Sequence, residues 1–73
     1  MKMVSIADVI ILAKNVGVDL TVCSTRSEMK RVVLYYFDKL DRSERFHGRR
    51  MKLSKDQIKL LDALAINSFK NMV

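Results

Sequence analysis

Almost nothing in this chain can cross-link it or break a helix. Proline and tryptophan are absent from its 73 residues, glycine occurs twice, and cysteine and histidine occur once each, as Cys23 and His47. A single cysteine excludes an intrachain disulfide framework, and with one histidine beside it no zinc site can be assembled within one chain. The lone thiol agrees with a reducing compartment. A chain this short buries only about 60% of its unfolded surface, so without those staples oligomerisation is the remaining source of stability. Acidic residues are also scarce: 8 against 14 Lys and Arg, for a formal charge of +6 and a pI near 9.8.

That balance favours polyanionic partners, either nucleic acid, DNA before RNA, or an acidic protein surface. Apolar residues make up 49% of the chain beside 30% charged ones. This is more apolar content than a small monomer is expected to hide, so a homo-oligomer is expected. The apolar stretch from Val9 to Ala13 is short and flanked by Asp8 and Lys14. No secretory signal or membrane span is read there, and a cytoplasmic, intracellular protein is expected.

The patterning predicts an all-α single domain: a small bundle of three main helices at about 6–16, 26–40 and 55–71. Ser5 with Asp8, Thr25 with Glu28 and Ser54 with Gln57 each have the three-residue spacing of a capping box. Gly17 and Gly48 follow helical stretches and are suited to the left-handed residue that closes a helix. Apolar residues cover most of the first helix, which predicts the central, most buried element. In the second helix Met29, Val32, Val33, Tyr36, Phe37 and Leu40 define one broad apolar face. In the third, Ile58, Leu61, Ala65, Phe69 and Met72 share a face that Leu60 and Leu64 widen. Residues 18–24 alternate apolar and polar side chains and read as an extended loop packed on the helices. A short helix over 42–47 is a further expectation.

No pair of carboxylates announces itself as a general acid and base. Cys23 and His47 lack a third group and an oxyanion loop, and neither the P-loop nor the dinucleotide fingerprint occurs. A binding protein without cofactor or metal is therefore expected, not an enzyme.

The cations supply the candidate site. Arg42, Arg45, Arg49, Arg50 and Lys52 crowd one stretch, offset there only by Glu44, and would release counterions on contacting phosphates. Phe46 and His47 lie among them as candidates for base stacking. At the start of the second helix a phosphate near Thr25 would meet free amides together with Arg26 and Lys30. A helix-turn-helix fits less well: Ala13 and Gly17 have the right separation, but the 18–24 run intervenes and Arg26 falls where that motif wants an apolar residue.

Within "SIADVIILAKNVGVDLTVCSTRSEMKRVVLYYF" the chain resembles the helix, extended loop, helix element of the SAP and HeH families, over residues 5–40. Val9 and Ala13 stand where the first helix packs, "VGV" ends it, and "TRSEMKRVV" looks like the basic position and second-helix start. The resemblance implies DNA binding through the loop and the start of the second helix, and points to Thr25, Arg26 and Lys30. The expected function is that of a small regulatory DNA-binding protein. The alternative is a protein-interaction module of viral or mobile-element type that docks its basic face on an acidic partner.

Overall fold

Three short hydroxyl side chains begin the three helices. The computed structural model describes residues 4–69, and its elements are α1 (Ile6–Val16), α2 (Arg26–Phe46) and α3 (Lys55–Ala63). Ser5 Oγ accepts the Asp8 N–H at 3.2 Å and Thr25 Oγ1 accepts the Glu28 N–H at 3.2 Å. Ser54 closes a full capping box: its Oγ accepts the Gln57 N–H at 3.3 Å while Gln57 Oε1 accepts the Ser54 N–H at 2.7 Å. Each cap satisfies amides that the helix cannot pair internally.

The three helices also end alike. In each, two crossed hydrogen bonds fold the chain back around one left-handed residue. At α1, Gly17 N–H donates to the Lys14 carbonyl at 3.0 Å and Val18 N–H to that of Ala13 at 2.8 Å. At α2 the pair is Gly48 to Arg45, 3.0 Å, and Arg49 to Glu44, 2.8 Å; at α3 it is Ala65 to Asp62, 3.1 Å, and Ile66 to Leu61, 2.9 Å. Such closures usually carry an apolar contact between the returning residue and the last turn. The buried pairs Val18 with Ala13 and Ile66 with Leu61 fit that rule. At the end of α2 an ion pair between Arg49 and Glu44 stands in its place.

The core gathers Val9 and Ala13 from α1, Met29, Val33 and Phe37 from α2, Leu60 and Leu61 from α3, and Val18, Leu20, Met51, Leu64, Ile66 and Phe69 from the connections. No polar side chain of the described residues is buried. Among the helices, α1 and α3 pack against each other most extensively. The first half of α2 is tied across them: Phe37 meets Phe69 with ring centroids 5.6 Å apart, and the Tyr36 hydroxyl donates to the Val16 carbonyl at 3.3 Å.

The all-α bundle matches the expectation, with four differences of detail. The last helix stops at Ala63 and not near 71, because burial of Ile66 and Phe69 is met by turning the chain at Ala65, whose φ is 54°. Residues 70 and 71 of the expected span, and Met72, lie outside the described residues. No separate helix covers 42–47; α2 runs unbroken to Phe46, since nothing between Leu40 and Arg45 interrupts helical geometry. The apolar cover of α1 is not buried all round, since Ile6 and Ile11 are exposed. In the 18–24 loop Val18 and Leu20 point inward, but Val22 is 80% exposed. The Asp19 carboxylate accepts the Thr21 N–H at 2.9 Å and its hydroxyl at 2.5 Å, making a turn that throws Val22 outward. Those two hydrogen bonds, aided by Lys14, hold the exposed Asp19 carboxyl below its ordinary range.

Candidate nucleic-acid interface

Length is the property of α2 that builds a surface. At 1.5 Å per residue it runs about 31 Å, against principal extents of 36 × 26 × 19 Å for the described chain. Its buried residues are Met29, Val33 and Phe37. Beyond Leu40 it adds no apolar side chain to the core, Asp41 and Glu44 are half-buried, and residues 45–50 are all exposed. The second half of the helix, with its closing turn, therefore projects from the bundle.

Arg42, Arg45, Phe46, His47, Arg49 and Arg50 come together on this projection. Phe46 is 87% exposed and meets the His47 ring edge-on at 5.5 Å. His47 Nδ1 lies 2.8 Å from the Ser43 carbonyl oxygen; an oxygen with no proton to give makes Nδ1 the donor. The connection that follows is pinned at Met51, 4% exposed, between the exposed Arg50 and Lys52.

Several of these cations are engaged with the chain's own acids. Arg42 pairs with Asp38 at 3.2 Å, Arg45 with Asp41 at 3.1 Å and Arg49 with Glu44 at 2.8 Å. The first two have helical i,i+4 spacing. The Arg42–Asp38 pair is exposed and worth a few tenths of a kcal/mol, so a phosphate can displace that carboxylate, whereas the Asp41 side chain is only 13% exposed and holds Arg45 from a sheltered position. The hydrogen bond from Arg49 holds the Glu44 carboxyl below its ordinary range and raises the guanidinium in turn. Arg50 and Lys52 meet no acid among the described residues.

The cations at the start of α2 stand apart from this cluster. Nineteen residues separate Arg26 from Arg45, about 28 Å along the axis. The Arg26 guanidinium is half-buried and donates to the Val4 carbonyl, stitching the chain before α1 to α2. Thr25 is occupied by its cap, with its hydroxyl 3.3 Å from the Glu28 carboxylate, which places a negative charge where a phosphate would sit. Lys30 is exposed.

The outer face of α2 carries a further set of exposed side chains. At about 100° per residue, Arg31, Tyr35, Arg42 and Phe46 fall within about 60° of one another, opposite Met29, Val33 and Phe37. Tyr35 is 65% exposed, and the Lys39 ammonium lies 5.6 Å from its ring centroid. Tyr36 and Phe37 turn inward instead and meet edge-to-face at 5.3 Å. Helical phase was the signal that separates the three aromatics.

Other regions carry less. An open cleft of about 390 Å³ beside the end of α1, lined in part by Ile10, Lys14, Asp19 and Leu20, holds none of the expected site residues. Among the described residues no group of three or more His, Cys, Asp or Glu could hold a metal, and no helix is long and apolar enough to cross a membrane. No protein-family model matches the chain, and neither a curated protein nor a solved structure matches it.

Proposed function

We propose that this protein binds nucleic acid, as a small regulatory factor, through the projecting half of α2 and the connection to α3. The observation that carries the reading is the placement of Arg42, Arg45, Arg49, Arg50 and Lys52 on a part of the chain where only Met51 is buried. Side chains that the core does not need are free to meet phosphates, and those cations would displace counterions in doing so. Lys30 joins only along a polymer that follows α2 from end to end. Thr25 and Arg26 keep their structural work, so the DNA contacts implied by the SAP and HeH resemblance carry less weight than the distal cluster. Binding to labelled DNA and RNA over a salt series is the test: affinity should fall steeply as salt rises, and its absence at low salt would remove the reading.

A protein partner is the second reading, favoured by Phe46, which stands 87% exposed among arginines. Aromatics beside arginine are the residue types that anchor protein interfaces. Purification with and without nuclease separates the two, since a stoichiometric protein that survives nuclease belongs to the second. Self-association is proposed on weaker ground, because the exposed large apolar residues are spread over α1, the 18–24 loop and α2.

A further inference from the structure

The outer face of α2 repeats itself. Arg31 stands one helical turn before Tyr35, and Arg42 stands one turn before Phe46, in "RVVLY" and "RSERF". Eleven residues separate the two units, which returns the second to within about 20° of the first and about 16 Å further along the axis. Both aromatics are exposed, Tyr35 by 65% and Phe46 by 87%. Both lie on the side of α2 away from the core, where they fill no internal space.

From this repeat we infer that the occupant of the α2 surface is a single strand of nucleic acid, with Tyr35 and Phe46 as two stacking platforms and Arg31 and Arg42 as their phosphate partners. The inference rests on the nucleic-acid reading above and narrows it to unpaired strands. A duplex hides its base faces and offers a cation row only phosphates, so exposed rings would gain nothing from it. An unpaired strand offers both phosphates and base faces, and every base has a π-face to stack. Lys39, beside the Tyr35 ring, adds a cation between the two units. Asp38, which holds Arg42 at 3.2 Å, is the group a phosphate must replace. A second copy of the chain is disfavoured as occupant, because it would bring the same cations against these.

The test is fluorescence anisotropy at low salt with a homopyrimidine single strand, as DNA and as RNA, and a duplex of equal length. The single strands should bind more tightly than the duplex. Tyr35→Ala and Phe46→Ala should each weaken single-strand binding by about tenfold, in line with the loss of one stacked base, and leave duplex binding unchanged. Because both rings are exposed, thermal unfolding should not move. Asp38→Asn should tighten binding. The chain has no tryptophan, so Phe46→Trp installs one indole whose emission should be quenched by single strand and not by duplex. Salt-sensitive binding in which single strand and duplex are equal, with both alanine variants unaffected, would overturn this inference and leave the broader reading standing. Absence of any nucleic-acid binding would overturn both.

Discussion

The two halves of α2 share one backbone geometry and almost nothing else. From Arg26 to Leu40 the helix buries Met29, Val33 and Phe37 and is tied to its neighbours by Arg26, Tyr36 and the Phe37 ring. From Asp41 to Phe46 it adds no apolar side chain to the core, and two ion pairs rooted there, Arg45 with the sheltered Asp41 and Arg49 with Glu44, join the closing turn in supporting it. Helices this exposed are marginal without packing, so the second half persists because the first half nucleates it. The contrast separates what the fold requires from what it merely carries, and the carried half holds the arginines.

The sharpest way to break the comparison is to cut one aromatic from each half. Phe37→Ala should cost about 3–5 kcal/mol, because it empties a fully buried site in a thin core. Phe46→Ala should stay within about 0.5 kcal/mol, as exposed substitutions do. Urea denaturation of both variants checks this. A cost above 2 kcal/mol for Phe46→Ala would mean that the projecting half is packed in a way this structure does not have.

The helix ends give effects of intermediate size. Gly17→Ala and Gly48→Ala both place a side chain at positive φ, 96° and 72°, in open space, so each should cost about 1 kcal/mol from backbone strain alone. Ala65 already bears that strain at φ 54°. Ala65→Gly should therefore stabilise the protein by up to about 1 kcal/mol, less whatever the freer unfolded chain takes back. Thermal melts of the three variants decide the signs.

A smaller effect sits in the pH dependence. The Glu44 carboxyl is held below its ordinary range by Arg49. Its contribution to stability is therefore complete above the unfolded glutamate pKa of about 4.3 and is lost as pH falls through the lower folded value. An NMR titration should show the Glu44 pKa rising in Arg49→Ala. The smallest change of all is expected for Arg42→Ala, a few tenths of a kcal/mol in stability from one exposed i,i+4 pair.

Much of this fold is legible along the chain, because helix starts are local. Ser5, Thr25 and Ser54 announce their caps by spacing alone, and Gly17 and Gly48 mark two of the ends. The end of α3 was hidden, since Ala65 is a good helix former and turns only because Ile66 and Phe69 find burial on the far side of it. The partner of Arg26 was hidden for a different reason: the Val4 carbonyl lies 22 residues away in sequence. The acids that meet Arg42 and Arg45 were in plain view one turn upstream at Asp38 and Asp41, although the cationic stretch read by itself set only Glu44 against them. For Tyr35, helical phase alone separates an exposed ring from its buried neighbours.

The central claim is that the projecting half of α2 meets an anionic polymer without being needed by the fold. The measurement that bears on it most directly is the salt dependence of oligonucleotide binding for the native chain beside Arg42→Ala, Arg45→Ala and Arg50→Ala combined. The expected result is a melt that stays cooperative and shifts only slightly, from the ion pairs removed, and a log-log slope shallower by about 0.7 for each phosphate contact removed from a single strand. An unaltered slope, or a melt that collapses with the arginines, would contradict it.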